Sequence, residues 1–389
     1  MTPPKPSRRP ERPWFSSGPT AKRPGWSPEG ALGSALVGRG IRAPAAMARV
    51  ADALERTRAV LEIPDEFKLV LIPGSDTGAM EAAMWSMLGA RRVQALAYDA
   101  FGQIWAADVL KHLRLEAELL EAPFGRMADL SRVDPEADLV FVWNGTTAGV
   151  KVPSGEFIAS DRKGLTFCDA TSAAFAMDLP WDKLDVTTFS FQKALGGEAG
   201  IGMAVLSPRA IERLDAFTPD RPLPKLMRLH KDGRADRDLL EGGMINTYSL
   251  LVIEDWIDAL RWAARAGGLE ALKRRTAENF AVLSAWVERT PWVDFFCKDP
   301  AIRSETSVTL EFVDPKAKAL STERRAALAG RLCSALEKEG AALDVYSHRM
   351  APPGLRIWCG CTVEASDLDA LTPWLDWAYA VAAAELEPA

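Results

Sequence analysis

Histidine is scarce in this sequence of 389 residues: His112, His230 and His348 are its only three, and they lie far apart along the chain. Zinc and two-metal hydrolases hold their metals through clustered histidine, cysteine and carboxylate side chains. The five cysteines show no paired metal-ligand spacing, and their odd number is typical of a reducing compartment where thiols stay unpaired. We therefore expect no metal site, a cytoplasmic location, and chemistry that depends on an organic cofactor.

Long apolar runs are also missing. No stretch approaches the roughly 20 consecutive apolar residues that a membrane helix needs, and the N-terminus lacks the apolar core of a secretion signal. Lys and Arg number 47 against 53 Asp and Glu, a net charge of −6, which gives no overall attraction to nucleic acid or to acidic membranes. We predict that the protein binds neither, and that any anion-binding residues are clustered locally.

The chain divides by composition into an arm and two domains. Residues 1–13 hold five prolines and four basic residues and are predicted to be a disordered arm. Short strands alternate with helices over residues 14–267, which predicts a large α/β domain with a mostly parallel sheet. Residues 268–389 predict a smaller α+β domain, and we expect the first residues of the large domain to pack on it.

Polar turns follow several of the predicted strands. Residues 68–72 and 138–143 are apolar runs typical of buried strands, and each ends in a turn rich in Gly, Ser, Thr or Asn. A helix predicted to begin after Gly74 would place its free amides at such a strand end, where they bind anions, although an ordinary helix cap is the simpler explanation of this turn. Further helices are predicted over residues 101–114 and 367–386.

Lys193 follows a short β-rich run and precedes Gly196 and Gly197. Most lysines are solvated surface charges, and the residues next to Lys193 do not by themselves argue for another role. In parallel sheets, however, ligands bind at the carboxyl ends of strands, and Asp169 and the turn at residues 73–78 are predicted at such ends too. Lysine acts as a nucleophile only when neutral, so the site must lower its pKa from about 10.4.

This combination suits pyridoxal phosphate (PLP). The lysine would form a Schiff base, Asp169 would hold the pyridine nitrogen protonated, and the helix start would take the phosphate. Trp105, at the start of the predicted 101–114 helix, could stack on the cofactor ring, although a tryptophan at helical spacing is more often part of a core.

The sequence also resembles the phosphoserine aminotransferases, which belong to the class V, fold-type-I group of PLP enzymes, over nearly all residues after 13. The resemblance rests on seven stretches taken together: Phe15-Ser-Ser-Gly-Pro19, Gly74-Ser-Asp-Thr-Gly78, Phe101-Gly-Gln-Ile-Trp105, Asn144-Gly-Thr146, Phe191-Gln-Lys193, Ile245-Asn-Thr247 and Pro352-Pro-Gly-Leu-Arg-Ile-Trp-Cys-Gly360. It implies a fold-type-I large domain with a mostly parallel seven-stranded sheet and a smaller α+β C-terminal domain.

The resemblance also implies roles for individual residues. The catalytic pair would be Lys193 and Asp169, and the cofactor would further be held by Asp76, Thr77, Trp105, Thr146, Gln192, Asn246 and Thr247. Asn246 and Thr247 would reach the cofactor of a second subunit, which implies a homodimer with shared sites. Arg356 would bind the substrate α-carboxylate, and Arg42, His348 and Arg349 the distal phosphate or carboxylate. The sequence departs from the family pattern at Ile41, where histidine is frequent, and at Tyr248, where proline is common.

The reaction implied is transamination between glutamate and 3-phosphohydroxypyruvate, giving 2-oxoglutarate and phosphoserine in serine biosynthesis. The alternatives are another class V aminotransferase acting on serine, alanine or glyoxylate, and a non-catalytic binding protein on the same fold. A cysteine desulfurase is disfavoured because no mobile loop with a catalytic cysteine is evident.

Overall fold

The computed structural model describes residues 3–384 and contains these strands and helices. The strands are β1 (Lys68–Pro73), β2 (Val93–Ala97), β3 (Ala117–Glu121), β4 (Asp138–Val142), β5 (Asn144–Gly145), β6 (Val150–Lys151), β7 (Thr166–Asp169), β8 (Val186–Ser190), β9 (Ile201–Leu206), β10 (His230–Lys231), β11 (Arg234–Ala235), β12 (Val293–Phe295), β13 (Ser307–Phe312) and β14 (Leu355–Trp358). The helices are α1 (Pro28–Leu32), α2 (Pro44–Leu61), α3 (Ser75–Met87), α4 (Ala100–Ala107), α5 (Pro208–Ala216), α6 (Arg237–Leu240), α7 (Leu250–Ala266), α8 (Gly268–Arg289), α9 (Pro315–Lys318), α10 (Thr322–Lys338) and α11 (Ala365–Ala384).

A seven-stranded sheet forms the centre of the molecule, in the order β1-β9-β8-β7-β4-β2-β3. Strand β9 runs antiparallel to both of its neighbours, and the other adjacent pairs are parallel. The prediction of an α/β fold with a mostly parallel sheet of seven strands is confirmed.

The sheet is apolar on both faces because helices cover both. Val70 and Ile72 of β1 point into a core built with α3, α4 and α5, whereas Leu69 and Leu71 point into a second core built with α2 and α7. Side chains of a strand alternate between its two faces, so a continuous apolar run is what such a doubly covered sheet requires. This explains why the runs at residues 68–72 and 138–143 were recognisable from sequence.

The C-terminal part combines a three-stranded antiparallel sheet, ordered β12-β13-β14, with helices α8, α10 and α11. Helix α7 ends at Ala266 and is followed by Gly267, whose φ of +112° favours glycine, and α8 starts at the next residue, Gly268. This break falls at the predicted domain boundary. One hydrophobic core nevertheless runs through both parts, so the division at residue 268 stays a prediction.

The N-terminal segment lies against the C-terminal helices. Arg8 donates to Asp369 at 2.9 Å, the indole of Trp374 donates to the carbonyl of Arg8 at 2.7 Å, and Arg9 pairs with Glu339 at 3.2 Å. The prediction of a disordered arm is therefore wrong for residues 3–13, because their partners lie more than 300 positions later and composition cannot reveal them. Residues 1 and 2 lie outside the described part.

Two predicted helices differ in extent from those observed. Helix α4 ends at Ala107 and is followed by a single π-helical turn, Asp108–His112, so the prediction of a helix to residue 114 overextends it. Apolar spacing cannot detect this change, because Trp105, Val109 and Leu113 still share one core. The helix predicted to residue 386 is described to Ala384. Within residues 3–384, no helix combines the length and the apolar character needed to cross a membrane.

Candidate active site

A cavity of about 230 Å³ opens at the carboxyl ends of the central parallel strands. The register brings these ends level, since Val142 of β4 pairs with Asp169 of β7, which in turn pairs with Thr188 of β8. Seven of the predicted site residues line the cavity: Asp76, Thr77, Trp105, Thr146, Asp169, Gln192 and Lys193. Chain segments up to 117 positions apart in sequence, from Asp76 to Lys193, therefore meet at one edge of the sheet.

Lys193 is held in the loop after β8 by a strap of the N-terminal segment. The backbone N–H of Thr20 donates to the carbonyl of Gln192 at 2.9 Å, and the Thr20 hydroxyl donates to the carbonyl of Lys193. The Lys193 amine itself donates to the carbonyl of Ser17. The predicted motif at residues 15–19 thus holds the lysine in place, a role that its sequence did not suggest.

Glycine is required beside the amine. A Cβ on Gly18 would lie 2.4 Å from Lys193 Nζ, and Gly18 has a φ of +151°. Real Cβ atoms essentially never approach so closely, so any side chain at this position would displace the amine or the strap.

The environment makes Lys193 a weak base. Burial and, to a smaller extent, the nearby guanidinium of Arg356 lower the pKa of its amine to about 8, against the opposing effect of Asp169 and other carboxylates. Removing a cation from water disfavours the charged form, and a second cation adds to that cost. A substantial fraction of the amine is therefore neutral near pH 8, as a nucleophilic lysine requires.

Asp169 closes the floor of the cavity at the end of β7. Its Oδ1 accepts from the backbone N–H of Thr171 at 3.0 Å and its Oδ2 from the indole N–H of Trp105 at 3.1 Å. The residue is 4% exposed, and burial raises the pKa of its carboxyl. The bond from Trp105 orients the indole, so this tryptophan is both part of the core and a wall of the cavity.

The opposite end of the cavity is the N-terminus of α3. Gly74 has a φ of +95°, and a Cβ on Gly78 would lie 2.0 Å from the carbonyl oxygen of Pro73, so both glycines are needed for the tight strand-to-helix turn. No side chain caps this helix start. Its first amides and the helix dipole are therefore available to an anion, and Thr77 is exposed beside them.

Buried polar atoms without partners surround this space. Among the described residues, Gln192 Oε1, Asn144 Oδ1 and Asp76 Oδ1 make no hydrogen bond. Unpaired buried polar groups are costly, and a bound polar molecule would supply the missing partners. A flat ring with a phosphate at one end and a reactive carbonyl fits these groups: the helix start suits the phosphate, Asp169 a protonated ring nitrogen, and Lys193 the carbonyl.

The predicted substrate-binding residues divide into two sets. Arg356 and His348 lie close enough to Lys193 to influence its charge or be influenced by it, and the rings of His348 and Phe101 are 5.8 Å apart. Arg349 is exposed beside them. Within the described residues no carboxylate forms an ion pair with Arg356, whose Nε also lacks a partner, so this guanidinium is free to bind an anion.

Six predicted site residues do not line the cavity: Arg356, His348 and Arg349, described above, and Arg42, Asn246 and Thr247. The last three are all exposed in a single chain. The two departures from the family pattern have structural roles: Ile41 is buried, and the hydroxyl of Tyr248 donates to the carbonyl of Leu71 beneath the sheet.

Sequence reasoning missed Asp99, a fully buried carboxylate near the cavity. It caps α4 by accepting from the N–H groups of Phe101 at 2.8 Å and Gly102 at 3.2 Å, and it also accepts from the N–H and hydroxyl of Thr147. A Cβ on Gly145 would lie 2.7 Å from Asp99 Cβ, so the Asn144-Gly-Thr146 turn packs directly on it. An aspartate one residue before a helix start was the sequence feature that could have identified this cap.

A larger cleft of about 730 Å³ lies elsewhere, between residues near β6 and the start of α8. Its lysines are already paired, Lys273 with Asp178 at 2.7 Å and Lys151 with Glu305 at 2.9 Å. It contains neither the lysine with a lowered pKa nor a free helix start. We therefore assign the chemistry to the smaller cavity.

Comparisons with known proteins agree with this geometry. No family model matches the chain. The phosphoserine aminotransferase of Methanosarcina mazei is 49% identical over 376 residues, which covers 96% of this chain and 99% of that protein. The structure is similar to phosphoserine aminotransferase from Bacillus circulans subsp. alkalophilus, with a TM-score of 0.78 at 17% identity over 94% of this chain and 98% of the other. It is nearly as similar to alanine–glyoxylate aminotransferase from Nostoc sp., with a TM-score of 0.75 at 20% identity over 97% of each chain.

Proposed function

Because this chain belongs to the phosphoserine aminotransferase family, as 49% identity over nearly its full length to one member shows, we propose that it transfers the amino group of glutamate to 3-phosphohydroxypyruvate, forming phosphoserine and 2-oxoglutarate. Members of this family are PLP-dependent transaminases, so the chain is an enzyme that uses PLP and acts on small molecules. This activity places it in serine biosynthesis. The five cysteines are buried free thiols, which supports a cytoplasmic location.

One observation carries the proposal: the amine with a lowered pKa and the buried carboxylate lie in the same cavity as a free helix start. Lys193, Asp169 and the first turn of α3 are the groups that PLP requires. When bound, PLP supplies an electron sink for the bond-breaking at the substrate α-carbon.

The protein's own groups supply the proton transfers and the orientation. Lys193 Nζ would be the general base and acid that moves the proton at the substrate α-carbon. Its pKa of about 8 leaves both protonation states accessible near neutral pH. Asp169 keeps the proton on the ring nitrogen, and Trp105 forms a wall of the ring site. The strap at residues 17–20 keeps the amine in position.

The substrate needs two anion sites, because phosphoserine and glutamate each carry a distal anion besides the α-carboxylate. We propose Arg356 for the α-carboxylate, since a guanidinium pairs bidentately with carboxylates. His348, Arg349 and Arg42 are proposed for the distal phosphate or carboxylate. Burial and the nearby guanidinium of Arg356 lower the pKa of His348, so a distal phosphate would have to supply the charge that favours its protonation.

We propose that the enzyme is a homodimer with shared sites. Arg42, Asn246 and Thr247 are exposed in one chain although they match family positions for anion binding, so a second copy could use them. Light scattering should give a mass near twice 42.4 kDa. Mixing the inactive variants Lys193→Ala and Asn246→Ala should restore activity, because a mixed dimer has one intact site. A monomeric mass, or no recovery after subunit exchange, would contradict shared sites.

An alanine–glyoxylate type aminotransferase is the second candidate, since the fold likeness is nearly as high. Such an enzyme does not need a distal cluster of basic residues, and the presence of His348 and Arg349 beside Arg356 favours the phosphorylated substrate. A non-catalytic binding protein would have no need for a lysine of lowered pKa.

A panel of donors and acceptors tests the function. We expect turnover with glutamate and 3-phosphohydroxypyruvate, and in reverse with phosphoserine and 2-oxoglutarate, but not with alanine and glyoxylate. Arg356→Gln should raise KM for these substrates by roughly tenfold or more, because a charge-assisted pair contributes about 1.5–3 kcal/mol. The exposed Arg126→Gln is the matched control and should leave KM unchanged. Turnover with alanine and glyoxylate only would favour an alanine–glyoxylate type aminotransferase. No turnover with any pair would favour a non-catalytic binding protein.

A further inference from the structure

Asp76 lies where a phosphate ligand is expected, yet its chemistry does not suit that role. It is in the first turn of α3 and only 6% exposed, and its Oδ1 has no hydrogen-bond partner among the described residues. Phosphates are bound by N–H donors and cations, and an ionised carboxylate in the same helical turn would repel them. The side chain of Asp76 therefore requires a role different from that of the neighbouring amides.

Asp76 and Asp169 both line the cavity, and their side chains are hydrogen-bonding neighbours there. Two buried carboxylates in contact do not both ionise, and the pair keeps one proton. Asp169 accepts from Trp105 Nε1 and from the backbone N–H of Thr171, and both bonds favour its charged form. Asp76 has two nearby hydroxyls, those of Thr188 and Thr171, but among the described residues no N–H donates to its side chain. The shared proton therefore resides on Asp76.

The surrounding charges agree with this distribution. Burial raises the pKa of Asp76 well above its ordinary value, and the charge of Asp169 raises it further. The cation facing the pair is Lys193, beyond β8, and the thiol of Cys168 is kept neutral by burial. Asp99 adds negative charge on the far side of Asp169. The dipole of α3 favours an ionised Asp76, but such dipole effects are smaller than the cost of complete burial.

We propose that Asp76 is a positioning residue that stays protonated, donates a hydrogen bond to the Asp169 carboxylate, and leaves the amides at the start of α3 to bind the cofactor phosphate. This inference rests on the proposed role of Asp169 as partner of the ring nitrogen. A neutral Asp76 leaves one negative charge to balance one protonated nitrogen, whereas an ionised Asp76 would add a second negative charge beside the phosphate.

The proposal has a consequence for cofactor affinity. Below the raised pKa, Asp76 is neutral and PLP binds fully. As pH rises through that pKa, Asp76 ionises next to Asp169, and affinity should fall by up to about tenfold per pH unit. Asparagine is a neutral donor of the same shape at every pH. Asp76→Asn should therefore retain binding and lose this alkaline decline, whereas Asp76→Ala should bind more weakly at all pH values.

The affinity is best measured in a Lys193→Ala background, where PLP binds without a covalent bond and the titration of the lysine does not contribute. Equilibrium dialysis of PLP is carried out with Lys193→Ala and with Lys193→Ala/Asp76→Asn, from neutral to alkaline pH. The comparison shows how PLP affinity changes when residue 76 can ionise and when it cannot. The titration of the PLP phosphate is common to both proteins and cancels. Parallel pH curves for the two proteins would overturn the proposal.

Infrared spectroscopy of the full chain, with and without PLP, tests the proton itself. We expect a carbonyl band of a protonated carboxyl at neutral pH that disappears in Asp76→Asn. A wild-type protein with no such band, or a band unchanged by the substitution, would refute the assignment. If neither Lys193→Ala nor Lys193→Ala/Asp76→Asn binds PLP at any pH, the proposed function fails. The infrared result still decides whether Asp76 carries the proton.

Discussion

Lys193→Ala should lower the transamination rate by at least about a thousandfold and abolish the visible absorbance of the covalently bound cofactor. The lysine is both the covalent attachment point and the general base, and acid–base catalysis alone contributes roughly 10²–10⁴-fold. Borohydride reduction of the wild-type protein followed by peptide mass spectrometry should place the cofactor on the peptide containing Lys193. PLP should still bind Lys193→Ala through the helix start and Asp169, but without a covalent bond.

Lys298→Ala is a suitable control, because Lys298 is half exposed and pairs with Asp294 and Glu311 away from the cavity. It should keep both absorbance and rate. The pH dependence adds a second check: since burial lowers the pKa of Lys193 to about 8, covalent attachment should speed up as pH rises toward that value and then level off. Undiminished turnover in Lys193→Ala would disprove the assignment of the lysine.

Asp169→Asn should lower kcat by roughly a hundredfold or more while the protein stays folded. Removing one partner of a buried charge pair costs about 2–5 kcal/mol, and here the unpaired group would be the protonated ring nitrogen. The cofactor-free protein should lose at most about 1–3 kcal/mol of stability. Trp105 and Thr171 donate to different oxygens of Asp169, so asparagine can accept from only one of them, but it also removes a carboxyl whose pKa is raised by burial.

Two measurements separate the effect of Asp169→Asn on stability from its effect on catalysis: thermal unfolding is recorded without PLP, and steady-state rates are recorded with PLP. Asp178→Asn, an exposed aspartate that pairs with Lys273, is the matched control and should change neither. If Asp169→Asn retained the wild-type kcat, a group other than this carboxylate would have to stabilise the ring nitrogen. A large loss of stability without PLP would instead mean that the carboxylate is needed for folding.

The strands of the central sheet were predictable because helices cover both of its faces. Runs such as residues 69–72 are apolar at every position, which indicates a doubly covered strand without any knowledge of its neighbours. The N-terminal segment shows the opposite case. Its prolines and basic residues predict disorder, and only the folded chain brings Arg8 to Asp369 and Trp374. Composition describes a segment, whereas packing depends on distant partners.

The residues of the active site also divide into those that local sequence predicted and those that only the folded chain revealed. Lys193, Asp169 and the turn at residues 74–78 were recognisable because each stands directly after a predicted strand, and strand ends meet at one edge of a parallel sheet. Asp99 was missed because nothing in its local sequence distinguishes an ordinary helix cap from a buried carboxylate beside Thr147. Gly18 gave no indication that it lies against the amine, since that contact joins positions 175 residues apart.

The sequence by itself determined the class of chemistry: few histidines, no paired cysteine ligands, and a lysine and an aspartate at successive strand ends indicate an organic cofactor held covalently. Only the tertiary structure decided the protonation states. Burial and Arg356 bring the pKa of Lys193 to about 8, and the contact between Asp76 and Asp169 leaves them one proton to share. A residue type sets which proton can move, but the dielectric and the charges that distant segments bring together set the pH at which it moves.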